Sequence, residues 1–465
     1  MANVFIENQT MIDIADAIRQ VRGESITMLP SEMPDYIKNN SQEYYGLRAD
    51  FENKTFTRLG AAVGKTAGPD FDTFSVYGNR KRCNVADDGT VNAYYGDAGY
   101  TEDGSNGQVM VEQPKFYYKV KPIKKDAQSD GLGYHLRCAE YYISAEKKPG
   151  YKIHPAFINE NGDEIDKYYI GAYEACLYDD SESAYNINDS QNMAVANDLL
   201  SSIANVKPAS GLTQDLTRVK CETMAKNRGN GWHNLSVKIA SAEQLLFIIE
   251  YGNFNTQSSI SDGVTSITDY SSYNCSSLTG STTSLGNASG RATTTTNEIN
   301  GTTTDYTAVN KTAVSYRGVE NFWGNIWSFV NGLSIWGDGT MKGGQPYICT
   351  DFNYAESKKD GNYEAAGFTV TNVNNYISAF GYGNEDYDWL FIASECDSTK
   401  ANSSLPVGDY QYVTANLNGY RIAHLGGIWS NGAYAGGFYW NLSYGVGHRR
   451  RFIGARLVYL PVSAA

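Results

Sequence analysis

The stretch LGGIWSNGAYAGGFYWNLSYGVGHRRRFIGARLVYLP, residues 425–461, carries most of the information about this chain. Its glycine, aromatic and aliphatic residues predict a rigid frame, with Trp429, Phe438, Ile453 and Leu457 buried. The residues between them follow neither the period of a strand nor that of a helix, so core packing does not explain them. These intervening residues are Ile428, Ser430, Tyr434, Tyr439, Asn441, Ser443, Tyr444, His448, Arg449, Arg450, Arg451 and Phe452.

The chemistry of the intervening residues is typical of a surface that binds another macromolecule. Tyrosine and arginine offer large contact areas or many hydrogen-bond donors, while serine and asparagine adapt to different partners. An ordinary surface loop that is rich in aromatic residues is the alternative. Three consecutive arginines at 449–451 argue against it, because adjacent cations repel each other and contribute little to folding. We therefore predict that the intervening residues form a ligand-binding surface.

An arginine run also suggests nucleic acid as a partner. The whole chain, however, has a formal net charge of -13, which opposes binding to phosphates. We expect no nucleic-acid partner.

Composition favours a loop-rich protein that contains β-structure. Charged residues are only 19% of the chain, and 46 glycines and 36 tyrosines replace them, which suits an extracellular surface protein better than a helical cytosolic enzyme. The seven cysteines form no CxxC pair, so neither a zinc site nor a disulfide framework is indicated, and we expect reduced thiols. The N-terminal residues contain no apolar run long enough for a signal sequence or a membrane span. We therefore expect synthesis in a cytoplasm and no membrane insertion.

Three segments of the chain differ in residue pattern and in the structure that this pattern predicts. The spacing of apolar residues within 1–42 predicts a short amphipathic helix, which would be too small to be stable alone. We therefore predict an assembly segment that docks on a partner or on other copies of the chain; packing on the same chain is the alternative. Residues 43–160 alternate strand-like runs with turns and predict a β-rich domain. Residues 161–465 predict a larger domain, with a Ser/Thr/Asn-rich insertion or exposed loop at about 256–315.

Two helices are predicted in the larger domain, so the expected fold class is α+β. The first lies within SGLTQDLTRVKCETMAKNRGNGW, residues 210–232, where apolar residues recur at helical spacing before two glycines. The second is SAEQLLFIIEYG, residues 241–252, with Ser241 as its N-cap.

No motif predicts catalysis. GAAVGKT, residues 60–66, has one residue too few between its glycines for a phosphate-binding loop. The five histidines show no i, i+4 pair, and no GxSxG elbow occurs. Acidic loops such as NEDYDW, residues 384–389, leave a glycosidase pair or a calcium site open as alternatives to solvated turns. We expect no catalytic residue, no cofactor and no metal.

Four segments resemble, in order, the formylglycine-generating-enzyme-like branch of the C-type lectin fold. YYIGAYEA (168–175) is similar to the opening strand, SAEQLLFIIEYG to the helix, RGVENFWGNIWSFVNGLSI (317–335) to the central segment, and IGARLVYL (453–460) to the closing strand. That family's catalytic cysteines lie near the C-terminus, whereas the last cysteine here is Cys396. The resemblance therefore implies the fold without the oxidase chemistry.

Within this branch, residues 426–457 resemble the variable proteins of diversity-generating retroelements, in which adenine-directed mutagenesis changes surface residues at the end of the fold. The earlier parts of the chain resemble phage tail and receptor-binding proteins. These resemblances imply a tropism-determining tail protein of the virion that binds a host cell-surface protein or glycan, contacts other tail proteins through residues 1–42 and assembles as a homotrimer. A carbohydrate-active or calcium-dependent sugar-binding tail protein is the alternative.

Overall fold

The computed structural model describes residues 44–186, 193–212, 215–268, 273–294, 311–354 and 359–462. This part of the chain is mostly β-sheet with few helices. The helix predicted within residues 1–42 lies outside the described residues.

The strands are short, and most are separated by turns. In chain order they are β1 (Tyr45–Asp50), β2 (Thr55–Gly60), β3 (Lys81–Val85), β4 (Val91–Tyr94), β5 (Gln108–Pro114), β6 (Tyr117–Ala127), β7 (Tyr134–Ser144), β8 (Lys152–Ile153), β9 (Lys167–Gly171), β10 (Cys176–Asp179), β11 (Ala184–Tyr185), β12 (Leu199–Ser201), β13 (Trp232–Asn234), β14 (Gly290–Thr293), β15 (Thr312–Tyr316), β16 (Val319–Glu320), β17 (Trp327–Asp338), β18 (Gln345–Cys349), β19 (Tyr363–Ala365), β20 (Asn375–Tyr382), β21 (Ala393–Cys396), β22 (Tyr410–Val413), β23 (Asn418–Gly426), β24 (Gly436–Tyr444), β25 (Ile453–Gly454) and β26 (Leu457–Tyr459).

The helices fall into two groups. The α-helices are α1 (Ser75–Gly78), α2 (Arg218–Lys226), α3 (Val237–Tyr251) and α4 (Thr256–Ser259). Single 3₁₀ turns are formed by Pro69–Phe71, Pro155–Phe157, Thr283–Leu285, Glu385–Tyr387 and Gly432–Tyr434.

In the part of the chain that the structure describes, the strands form two large sheets and two small ones. The main path of the largest sheet runs β19-β18-β17-β23-β24-β22-β20-β7-β1-β2. The second sheet has the order β13-β26-β9-β5-β3-β4. In it the predicted closing strand β26 pairs antiparallel with the predicted opening strand β9, with Val458 opposite Ile170. The end of the chain is therefore anchored at the start of the predicted lectin-type region.

Strands from both sides of residue 160 share these sheets. Strand β5 pairs with β9, and β7 pairs with β20. One continuous hydrophobic core also contains residues from both parts, including Leu47, Tyr141, Phe247 and Phe438. The predicted boundary therefore runs through shared sheets, and the division into domains stays a prediction, as does the lectin-type assignment of residues 161–465.

Both predicted helices are present, with different starts. Helix α2 begins after Thr217, whose side chain accepts a hydrogen bond from the backbone N–H of Lys220. Helix α3 begins after Ser236 and ends at Gly252, which has a φ of 64°. The prediction of Ser241 as N-cap is wrong, because the helix starts earlier and the Ser241 hydroxyl donates to the carbonyl of Lys238. Helix α3 is buried on almost every side, so no polar face marks its first turn.

Much of the Ser/Thr/Asn-rich segment is buried where the structure describes it. Cys275, Ser276, Ser277, Thr279 and Thr282 are buried. Their polar groups are satisfied: the Thr282 hydroxyl, for example, donates to the carboxylate of Glu320 over 2.7 Å. Polar residues are buried at acceptable cost when they are hydrogen-bonded, and composition alone does not reveal such partners.

All seven cysteines are free and buried, which agrees with the expected reduced thiols. In addition, no helix in the described part of the chain is long and apolar enough to cross a membrane.

Candidate ligand-binding surface

The predicted frame is confirmed. Trp429, Phe438, Ile453 and Leu457 are fully buried. Strand β24 forms the central part of this frame. Its alternate residues point to opposite faces of the sheet. Phe438 packs in one core and the neighbouring Tyr439 in another, so both faces of this strand are covered.

Several predicted contact residues are accessible on this frame. Ser430, Tyr434, Arg449 and Arg450 are exposed. The remaining accessible residues are partly buried: Ser443, Tyr444, His448, Arg451 and Phe452.

Three predicted contact residues are buried, and the expectation that they are exposed is wrong. Ile428 is 8%, Tyr439 1% and Asn441 6% exposed. The Tyr439 ring lies 4.6 Å from the ring of Trp327, and the Asn441 Oδ1 accepts hydrogen bonds from the backbone N–H and the hydroxyl of Ser443. Strands β22 and β23 pair with the two edges of β24. The sequence of β24 alone does not indicate these neighbours. A role for these residues in ligand binding stays a prediction.

A cluster of tyrosines lies beside the predicted surface. We define the tyrosine cluster as Tyr376, Tyr410, Tyr412 and Tyr434. The ring of Tyr410 lies 4.4 Å from that of Tyr434 and 5.4 Å from those of Tyr376 and Tyr412. Tyr412 and Tyr434 are 37% and 40% exposed. The cluster therefore presents large aromatic faces to solvent.

Strand geometry explains why these rings meet. Tyr410 and Tyr412 occupy alternate positions of β22 and so share one face, and Tyr376 of β20 is the direct partner of Tyr410. The 3₁₀ turn Gly432–Tyr434 then places Tyr434 next to Tyr410. Sequence reasoning missed Tyr376, Tyr410 and Tyr412. The signal was the run YQYV, residues 410–413, with two tyrosines at strand spacing.

The second half of the surface is the arginine loop, which we define as residues 445–452. The loop lies against Gly211 and Leu212. Together they line an open cleft of about 660 Å³, called here the basic cleft. The backbone N–H of Gly211 donates to the carbonyl oxygens of Arg450 and Ile453. These bonds attach the loop to a segment more than two hundred residues earlier in the chain.

Aromatic stacking fixes the imidazole at the cleft. The ring of His448 stacks on that of Tyr444 with 3.5 Å between centroids and 7° between planes. Partial burial and the nearby charge of Arg450 lower the pKa of His448 to about 4. The imidazole is therefore neutral at physiological pH, and positive charge in the loop comes from its arginines.

Trp327 connects the two halves of the surface. Its ring contacts Tyr439 and lies 6.4 Å from the ring of His424, while its backbone N–H donates to the carbonyl of Phe452 over 3.1 Å. Tyr439 in turn approaches Tyr410 and Tyr412, with centroids 6.2 and 6.4 Å apart. The tyrosine cluster and the arginine loop thus rest on one packed aromatic layer.

The acidic loop at 384–389 is folded on itself. The Asn384 side chain accepts from the N–H of Asp386, and Asp388 is buried with hydrogen bonds from Tyr118 and Lys152. In the described part of the chain, no group of three or more His, Cys, Asp or Glu side chains is arranged to hold a metal ion.

No protein-family model matches the chain. No curated protein matches it either. Solved structures similar to it include the Major Tropism Determinant I1, P3c and M1 variants. Each is 12% identical to this chain, and each match covers 82% of this chain and 71% of the other protein's chain. The TM-scores are 0.26, 0.25 and 0.26, respectively.

Proposed function

We propose that this chain is the receptor-binding, tropism-determining protein of a phage tail, which binds a host cell-surface ligand and does not turn it over. The observation that carries the proposal is the tyrosine cluster. Two of its rings are more than a third exposed, although the cluster rests on a fully packed aromatic layer. Exposed, pre-positioned aromatic side chains are typical of protein surfaces that bind macromolecules.

The arginine loop supports the same function. Its exposed arginines stand in an acidic chain, and the loop that carries them is attached to Trp327 through the carbonyl of Phe452. Tyrosine and arginine are the residue types most often responsible for binding energy at protein interfaces. In this proposal the frame is held constant, and Ser430, Tyr434, Ser443, Tyr444 and residues 448–452 vary on it.

The test measures adsorption of the fluorescently labelled full-length chain to cells of the bacterial host. We expect adsorption to fall at least about tenfold when Tyr412 and Tyr434 are both replaced by Ser, because each hot-spot side chain contributes about 2 kcal/mol. Tyr95→Ser is the matched control, since Tyr95 is 38% exposed and lies after β4, outside the surface. Equal adsorption of both variants would contradict the assignment of this surface.

The origin of the surface in a diversity-generating retroelement is tested at the DNA level. We expect a near-copy of the codons for residues 426–457, differing mainly where the copy has adenine, next to a reverse-transcriptase gene. Absence of such a copy would remove the proposal that these residues are diversified by mutagenesis.

The non-enzymatic part of the proposal has its own test. Host capsule or cell-wall polysaccharide is incubated with the chain and the supernatant is analysed for oligosaccharides. We expect adsorption without release. Released oligosaccharide would favour the carbohydrate-active alternative, and loss of adsorption in a chelator would favour the calcium-dependent one.

A further inference from the structure

The basic cleft has the chemistry of an anion site. Its lining consists of Gly211, Leu212, the turn 445–447 and the side chains of residues 448–451. Among these described residues none is acidic, and three are arginines. Guanidinium groups bind carboxylates through paired N–H donors, which gives both strength and direction.

The ion pair between Arg449 and Asp215 at the cleft is weak enough to be exchanged for a ligand. Arg449 pairs with Asp215, and both side chains are nearly half exposed, at 49% and 46%. Ion pairs in contact with water contribute little to stability. The exposed Arg450 donates to the backbone carbonyl of Arg449 over 2.9 Å, which leaves its other guanidinium N–H groups able to reach a ligand.

His448 adds a neutral polar group to the cationic lining. Its Nε2 is buried and has no hydrogen-bond partner among the described residues, although the ring itself is fixed by stacking on Tyr444. The cleft thus places a neutral imidazole ring beside its arginine donors, so binding of a ligand should change the environment of this ring.

We propose that the basic cleft binds a carboxylated sugar of a host cell-surface glycan. This inference rests on the proposed function, because it names the ligand class of that surface. A volume of about 660 Å³ exceeds what one aspartate or glutamate side chain fills, and it lies within the range of small-molecule sites. The exposed side chains of Tyr412 and Tyr434 offer flat apolar faces to other sugar rings of the same glycan.

The experiment titrates the full-length chain with methyl glucuronoside and with the neutral methyl glucoside, using calorimetry and the NMR signals of the His448 ring. We expect the glucuronoside to bind at least about tenfold more tightly, because hydrogen bonds between a guanidinium and a carboxylate are stronger than those between neutral groups. It should also shift the His448 signals of the unmodified chain. Failure of the glucuronoside to bind, or equal binding of the glucoside, would overturn the inference.

Variants and other anions identify the source of binding. Arg450→Gln should weaken glucuronoside binding about tenfold, whereas Arg291→Gln, an exposed arginine on β14, should not change it. Tighter binding of inorganic phosphate would indicate a general anion site, and tighter binding of a tetra-aspartate peptide would indicate a protein epitope; either result overturns the inference. If cell adsorption depends on Tyr412 and Tyr434 but not on Arg450, the inference fails while the proposed function stands.

Discussion

The backbone N–H of Gly211 donates to the carbonyl oxygen of Arg450 over 3.0 Å. A Cβ atom at position 211 would lie 2.6 Å from the backbone nitrogen of Arg450 and 2.7 Å from the Cβ of Arg449. Both distances are shorter than van der Waals contact permits. The approach of these two segments therefore requires glycine at 211, and it sets the position of the arginine loop.

Gly211→Ala should displace the loop. We expect a loss of about 1 to 3 kcal/mol in the free energy of unfolding, as for other overpacked sites, and weaker binding of the glucuronoside. Gly447→Ala is the matched control in the same loop, because nothing lies within 4 Å of its Cβ position. Urea unfolding measures both variants. Equal stability of the two would show that the loop moves away from Gly211 at no cost.

Burial divides the tyrosines of the surface into two classes. Tyr439 is 1% exposed and packs on Trp327, so Tyr439→Ala should destabilise the fold by about 3 to 5 kcal/mol, as truncation of a core aromatic does. Tyr434 is 40% exposed, and Tyr434→Ala should cost about 1 kcal/mol, mainly through its ring contact with Tyr410. Thermal or urea unfolding of the two variants distinguishes them. A small loss for Tyr439→Ala would restore it to the variable set.

Acid should destabilise the fold through His424. This residue is fully buried, and burial, together with the neighbouring His448, lowers its pKa to about 3. In the unfolded chain the pKa is about 6.5, so the unfolded state takes up a proton first as the pH falls. The contribution of neutral His424 is therefore complete above about pH 6.5 and decreases below it.

The comparison variant is His424→Phe, which does not titrate. Between pH 7 and pH 5 the parent chain should lose about 2 kcal/mol more unfolding free energy than the variant. Urea unfolding at several pH values measures the difference in slope, which does not depend on any change in absolute stability. Parallel curves for the two chains would contradict the lowered pKa.

Deletion of residues 1–42 should leave the rest of the chain folded and able to adsorb to host cells. A short amphipathic helix has little stability without a partner surface, so its removal should change assembly rather than folding. Analytical ultracentrifugation, circular dichroism and the cell-adsorption assay measure the three properties. We expect the full-length chain to sediment as a trimer, in which weak single sites add through avidity. A truncated chain that misfolds would place the segment in the core.

The sequence by itself determined which residues form the buried frame and that arginines stand beside it. The sequence predicted that Trp429 and Phe438 are buried, because large apolar side chains are most often found in the interior of a folded protein. The spacing of apolar residues also located α2, since helical periodicity is a local property, whereas the segment predicted for α3 was correct but its N-cap was not. The arginine run at 449–451 was recognised because it contradicts the acidity of the whole chain.

Only the tertiary structure decided which residues share the surface. The convergence of Tyr376, Tyr410 and Tyr434 depends on the pairing of β20 with β22 and on a turn that follows twenty residues later, and no local pattern encodes such a pairing. The burial of Tyr439 likewise depends on what covers the second face of β24. Periodicity reports one strand or helix at a time, whereas packing between distant segments determines which side chains remain in contact with solvent.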